Sequence, residues 1–296
     1  GLDYLRRILL APVYDVAVET DLTSLTKLSI RLGNQIFLKR EDQQPVHSFK
    51  LRGAYNKLSN LPEEQCIHGV IAASAGNHAQ GLALAAHKLG IKATIVMPIT
   101  TPDIKVDNVR RFGAEVRLIG KSFNEAQTAS VEYAKAENKT LIHPFDDVDV
   151  IAGQGTVAKE LLQQQPKTDA VFIPVGGGGL LAGMAVYLKQ LQPNIKVIGV
   201  EAEDSACLKA AMAALALTEN QFRILPDYDA RPIFDSLLNT FTGGIDGRWW
   251  WEQFIMESFS ATFPDSKGFT RICSIVPDLD QKVYFVVEDD SAPFFP

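Results

Sequence analysis

From residue 48 to residue 200 the chain alternates helix-length stretches with short apolar runs, and this rhythm limits the fold more than any other feature of the sequence. Residues 48–61 read as a helix, 69–73 as an apolar strand, and 77–89 as an Ala-rich helix closed by Gly90. A strand over 92–97, a helix over 104–112 closed by Gly113, a strand over 115–119 and a helix over 123–138 follow. After a loop around 144–149 the pattern resumes with helix 151–164, buried strand 170–175, helix 180–191 and strand 196–200. Strands separated by helices of this length predict a parallel sheet, because parallel neighbours need a long crossover. Upstream, residues 3–10 read as a short amphipathic helix and 35–39 as a strand. Residues 22–32 read as a helix, with Leu25, Leu28 and Leu32 on one face and Gly33-Asn34 at its end. Residues 202–215 are Ala-rich and read as helical. Beyond about residue 216 the rhythm is lost, although 259–263 and 282–288 read as strands.

A chain of 296 residues is long enough for two lobes. Its formal net charge of -6 argues against strong nonspecific binding to nucleic acid, since no basic excess exists to neutralise phosphates. Cys66, Cys207 and Cys273 are far apart and form no C-x-x-C pair, so they read as reduced, mostly buried thiols. No apolar run approaches the length of a membrane helix, and no basic segment with an apolar signal core opens the chain. The expectation is a cytoplasmic protein, or an organellar one where a transit peptide has been removed.

Three segments carry chemistry. In Pro45-Val46-His47-Ser48-Phe49-Lys50-Leu51-Arg52-Gly53, Lys50 stands at the start of a helix. The positive helix end disfavours an ammonium there and lowers the amine's proton affinity, which suits a Schiff-base nucleophile. Taken alone, the commoner reading of Lys50 is a solvated surface lysine. The second segment, Ala73-Ser74-Ala75-Gly76-Asn77-His78-Ala79-Gln80-Gly81, joins a strand to a helix. Its small residues and the helix N-terminus suit a carboxylate held by the Ser74 hydroxyl and nearby amides. Asn77 either caps the helix or hydrogen-bonds a ligand ring. His78 reads as structural, since no partner sits at metal-ligand spacing, and no metal site is expected.

The third segment, Val175-Gly176-Gly177-Gly178-Gly179-Leu180, follows a strand and opens a helix. Four glycines let the backbone wrap an anion such as a phosphate, whereas a simple turn needs one or two. Without Gly-Lys-Ser/Thr it is not a Walker loop. A rival reading uses the same loop. Gly177, Gly179 and Ala182 match G-x-G-x-x-G/A, and Glu201 ends the next strand where a dinucleotide enzyme places its ribose-binding acid. That would make the chain an NAD-dependent oxidoreductase. It leaves Ser48-Phe49-Lys50 and residues 74–78 without a role, and it expects the glycine loop after the first strand of its domain.

Together the three segments, in this order and spacing and preceded by Lys39-Arg40-Glu41-Asp42, resemble the family of threonine and serine dehydratases and serine racemase. These are pyridoxal-phosphate enzymes with the tryptophan-synthase-β fold. The resemblance covers about residues 11–214. Gln44-Pro45-Val46-His47, Phe145-Asp146, Ile151-Ala152-Gly153-Gln154-Gly155-Thr156 and Glu201-Ala202-Glu203-Asp204-Ser205 favour the biosynthetic threonine dehydratase branch. It implies an α/β fold with two lobes of open parallel sheet and pyridoxal 5'-phosphate between them. Residues 1–50 with 142–215 would form the large cofactor-binding lobe, residues 51–141 the small lobe, and 216–296 a divergent tail.

By the same resemblance, Lys50 is the catalytic lysine that carries the cofactor, and Gly176, Gly177, Gly178 and Gly179 hold its phosphate. Asn77 meets the phenolic oxygen of the ring, Phe49 packs on one ring face, and Ser74, Ala75, Gly76 and Asn77 receive the substrate carboxylate. The implied reaction is dehydrative deamination of L-threonine to 2-oxobutanoate and ammonia, a lyase step towards isoleucine, with serine as a secondary substrate. The alternatives are a serine dehydratase or racemase, or a dehydratase-derived chain with impaired catalysis. A homo-oligomer is implied, and an isoleucine effector only where a regulatory domain is present. The tail departs from the family: it shows no Glu-Pro-Ser-Gly-Ala-like helix and no Ser-Gly-Gly/Ala-Asn segment, whose serine meets the pyridine nitrogen in such enzymes. Residues 259–275 faintly resemble the start of the ACT-like regulatory domain of longer dehydratases.

Overall fold

A computed structural model describes residues 2–201, 206, 208 and 284–286. The chain divides into two compact units, one of residues 7–167 and one of residues 168 onward with 1–6. In chain order the elements are α1 (Leu2–Leu10), β1 (Leu22–Ser24), α2 (Thr26–Leu32), β2 (Phe37–Lys39), α3 (Lys50–Ser59), α4 (Glu63–Cys66), β3 (Val70–Ala73) and α5 (Asn77–Leu89). Then come β4 (Ala93–Met97), α6 (Asp103–Arg110), β5 (Glu115–Leu118), α7 (Phe123–Ala136), β6 (Thr140–Leu141) and α8 (Val148–Gln164). The second unit holds β7 (Ala170–Pro174), α9 (Gly179–Leu191), β8 (Lys196–Val200) and β9 (Tyr284–Val286).

The expected parallel sheet forms in the first unit as four strands in the order β5-β4-β3-β6. Side chains alternate across it with the two-residue period of a strand. Val70, Ala72, Ile95 and Met97 join a core with residues of α3, α5 and α6, while Ile71 and Val96 pack with Ala126 of α7 on the other face. The strand order reverses at β3. The chain adds β4 and β5 on one side and returns with β6 on the other, so residues 74–77 and 142–144 leave the carboxyl ends of adjacent strands. Open α/β sheets bind ligands at such a switch point.

Three expectations are corrected. Residues 22–24 are not helical: Leu22, Thr23 and Ser24 pair antiparallel with Lys39, Leu38 and Phe37. The leucine spacing misleads because α2 buries no residue, and Ile30 and Leu32 are 78% and 51% exposed. The strand at 170–174 is buried on one face only, with Val171 and Ile173 covered and Phe172 60% exposed. Among the described residues it lies at one end of the order β7-β8-β9. The helix expected from 151 begins at Val148, because the Asp147 carboxylate accepts the N–H groups of Asp149 and Val150 at 2.9 and 3.2 Å. The short α4 and two-residue β6 carry too little periodicity to be read. Cys66 is half-buried and free; Cys207, Cys273, most of the expected helix at 202–215 and the expected strand at 259–263 lie outside the described residues. The strand expected at 282–288 contains β9, which pairs parallel with β8.

One buried ion network ties the first unit together. Arg52, fully buried on α3, donates through Nε and Nη2 to both carboxylate oxygens of Glu41 at 2.8 Å and through Nη1 to Glu160 of α8 at 2.6 Å. Glu160, also fully buried, accepts from Lys39 Nζ at 2.6 Å and from the Tyr14 hydroxyl at 3.0 Å. Burial pushes the Glu160 carboxyl pKa up, but Arg52 and then Lys39 outweigh it and hold the group below its ordinary value. Breaking a buried pair leaves a charge without compensation. Glu160→Gln is therefore expected to destabilise the protein by roughly 3–5 kcal/mol, seen as a lower urea midpoint. A loss below about 1 kcal/mol, the range of surface pairs, would show that the network contributes little.

Candidate active site

Lys50 is the first residue of α3, and its N–H donates to Ser48 Oγ at 3.2 Å. Two glycines set the height of this helix end. A Cβ on Gly81 of α5 would lie 2.8 Å from Leu51 N and 3.0 Å from the carbonyl carbon of Lys50. A Cβ on Gly153 of α8 would lie 2.6 Å from Arg52 O. Both neighbours thus touch the backbone of the first turn of α3, an approach any larger residue would block.

The Lys50 amine donates to Pro144 O at 2.8 Å, just beyond β6, and lies 5.6 Å from the centre of the Phe49 ring. Among the described residues it has no carboxylate partner. Burial pushes its pKa down to about 8. His78, buried on α5, faces Ile142 O through Nε2 at 3.3 Å, and its Nδ1 is buried with no hydrogen-bond partner. Burial first, and then Lys50, push this imidazole down to about 3. His143 Nδ1 accepts the N–H groups of Phe145 and Asp146 at 3.3 and 2.7 Å, which folds the turn that carries Pro144.

Residues 74–77 follow β3 into α5. Ser74 Oγ accepts from Gly76 N and Ala79 N, both at 3.3 Å, so the serine hydroxyl serves the helix end. Of the two readings of Asn77, the cap is overturned: Gly76 holds the cap position, and Asn77 is the first helical residue with an exposed side chain. The N–H groups of Asn77 and His78 have no acceptor within the helix. Lys50, Phe49 and residues 74–78 are thus brought to the switch point of one sheet.

The glycine loop belongs to the second unit. It follows β7 and opens α9, with Gly178 in the left-handed region at φ 84° and no side-chain cap. Gly176 is different: its φ is not positive, and a Cβ there would meet nothing within 4 Å. The loop follows the first strand of its unit, as the dinucleotide reading requires. The acid that reading needs is engaged elsewhere, since Glu201 is buried and accepts Leu208 N at 2.9 Å.

Sequence reasoning missed the Pro144 carbonyl and the roles of Gly81 and Gly153. The only local signals were a glycine within an Ala-rich helix and the Gly-Gln-Gly of α8.

Comparison with known proteins agrees with this arrangement. The family model described as "Pyridoxal-phosphate dependent enzyme" matches residues 13–242. The chain is 60% identical over 214 residues to the biosynthetic L-threonine dehydratase of Pasteurella multocida, covering 72% of this chain and 42% of that protein. It thus spans less than half the length of that relative. The structure is similar to processed threonine deaminase isoform 2 of Solanum lycopersicum, with TM-score 0.71 and 54% identity over 72% of this chain and 59% of the other. It is also similar to maize serine racemase, with TM-score 0.69 and 33% identity over 72% and 65% of the two chains. A family match over most of the chain, on a sheet whose switch point gathers the expected lysine and carboxylate-binding segment, identifies the chain as a member of the pyridoxal-phosphate dependent enzyme family.

Proposed function

We propose that the chain binds pyridoxal 5'-phosphate through Lys50 and carries out dehydrative deamination of L-threonine to 2-oxobutanoate and ammonia, with serine as a poorer substrate. The observation that carries the reading is the Lys50 amine at the sheet's switch point, half-buried, bonded to the Pro144 carbonyl and with its pKa pushed down to about 8 by burial. A lysine bonded only to a carbonyl also occurs at Lys189, which donates to Pro193 O at 2.9 Å; what sets Lys50 apart is its place in the Ser48-Phe49-Lys50 segment at the switch point of the sheet. A free amine is the form that attacks an aldehyde. The glycine loop, taken by itself, suits a phosphate. Neither packing nor backbone conformation demands glycine at 176, and the uncapped start of α9 offers N–H groups to a phosphate. Threonine is favoured as substrate by the higher identity to threonine dehydratase than to serine racemase.

In this reading Lys50 Nζ would hold the cofactor, and Gly176, Gly177, Gly178 and Gly179 would hold its phosphate. When bound, the cofactor would supply a sink for the electron pair left at the substrate Cα. The Lys50 amine would take the Cα proton. The Ser74 hydroxyl and the amides of Ala75, Gly76 and Asn77 hold the substrate carboxylate. The exposed Asn77 side chain would hydrogen-bond the phenolic oxygen of the cofactor, and Phe49 would pack against its ring. The loss of the β-hydroxyl and the later release of ammonia remove one water and return one, so deamination is the net change.

The division into a small lobe of residues 51–141 and a cofactor lobe of 1–50 with 142–215 belongs to the same proposal. It is supported by β6, which completes the four-stranded sheet at Leu141. A homo-oligomer and a cytoplasmic or organellar location complete it. Among the described residues no helix is long and apolar enough to cross a membrane. Control by isoleucine would need a regulatory domain, and residues 259–275, which carry that faint likeness, lie outside the described residues.

Lys50→Ala is expected to abolish both borohydride-trapped pyridoxal phosphate, read by mass, and 2-oxobutanoate formation from threonine. Normal turnover in this variant would move the covalent link to another residue. The rate of cofactor attachment should rise with pH to about 8 and level off above it, since the free amine reacts and burial sets its pKa there. A rise continuing to the ordinary lysine value of 10.5 would contradict a buried amine. Gly176→Asp should weaken cofactor binding roughly tenfold or more in equilibrium dialysis, because a carboxylate would face the phosphate, while the urea midpoint stays put. Unchanged affinity would make the loop a turn only. Gly178 is the poorer site for this test, as its positive φ would strain any side chain.

A further inference from the structure

The carbonyl that orients Lys50 sits in a turn that His143 folds by accepting the N–H groups of Phe145 and Asp146. Ile142 N donates to Ile71 O at 2.9 Å, the last sheet bond before the chain leaves β6. Pro144, which supplies the carbonyl for Lys50, has no N–H to fix itself with. Between these points the Ile142 carbonyl is met by His78 Nε2, reaching across from α5. A carbonyl only accepts, so Nε2 carries the proton. Nδ1 is then either a bare lone pair or a second N–H, and it is buried without a partner. A second proton would put an imidazolium beside Lys50, with His143 as the other titratable group acting on it and no carboxylate among those that do. The neutral Nε2–H form follows. A buried Nδ1 without a partner is a cost that an apolar residue of similar size would avoid.

We propose that His78 is a positioning residue for the Lys50 amine. As a neutral Nε2–H imidazole it fixes the Ile142 carbonyl, and through two residues of backbone it fixes the Pro144 carbonyl that orients Lys50 Nζ. It touches the amine only through this turn. Its geometry stands apart from the proposed cofactor chemistry, but its consequence rests on Lys50 being the cofactor lysine.

The test uses the full 296-residue chain without cofactor in three forms: unmodified, His78→Gln and His78→Leu. Glutamine keeps an N–H donor at similar reach, and leucine keeps bulk alone. Acetic anhydride labelling across a pH series, with the Lys50 peptide quantified by mass spectrometry, gives the midpoint at which the amine becomes free. The unmodified and Gln chains should titrate near 8. In the Leu chain the Ile142 carbonyl turns to water, the turn loosens and Lys50 is solvated. Its midpoint should rise by about one unit, roughly a tenfold loss of free amine near neutral pH. A Leu chain that titrates like the unmodified one would overturn the proposal. If the Leu chain does not fold, nitrogen NMR of the unmodified chain decides. A protonated Nε2 and bare Nδ1 from about pH 5 to about pH 9 support the inference, and an imidazolium or an Nδ1–H tautomer refutes it. Borohydride trapping of pyridoxal phosphate on the unmodified chain is scored separately. If Lys50 takes no cofactor, the proposed function fails while the labelling series still judges His78.

Discussion

The Arg52 guanidinium is the ion on which the first unit is organised. A charge with no exposed surface must be met on all sides, because its desolvation penalty is several kcal/mol and only close opposite charge offsets it. Glu41 arrives from the turn after β2, Glu160 from α8, and Lys39 balances the second carboxylate. Each partner lies on a different segment, so pairing fixes the roll and depth of α3. Lys50 is two residues away on the same helix, and its direction is set as a consequence.

The same turn of helix treats its two cations in opposite ways. Arg52 is surrounded by carboxylates that hold it charged. Lys50 is given a carbonyl and the face of the Phe49 ring, and burial pushes its pKa down. Paired carboxylates keep a buried guanidinium ionised, whereas an amine that meets only a carbonyl gives up its proton more readily. Gly81 and Gly153 allow this contrast by letting α5 and α8 close on the helix backbone and exclude water from both sites.

Much of the scaffold was legible in the chain itself. The alternation of apolar runs and helix-length stretches announced the parallel sheet, and the strand alternation of Val70 to Ala73 is visible in the faces they take. It failed where packing overrode local pattern. The leucines of 22–32 look like a core stripe, yet Leu22 is drawn into a strand pair, Leu25 and Leu28 are only half-buried and Leu32 is exposed. Asn77 has the composition of a cap, but the Ser74 hydroxyl reaches the helix amides first.

The sequence by itself determined the fold class, the family, and the placement of Lys50 at a helix start, of residues 74–77 after a strand and of four glycines before a helix. These depend on period and on backbone freedom, which are local properties of neighbouring residues. Only the tertiary structure decided that Lys50 is half-buried with no carboxylate partner among the described residues, that Arg52 two residues on is paired with two, and that β3 and β6 bring Ser74 and Pro144 to one switch point. Those outcomes depend on which groups exclude water from which others. That is settled by segments some 90 residues apart in the chain, as Lys50 and Pro144 are, and no local pattern records it.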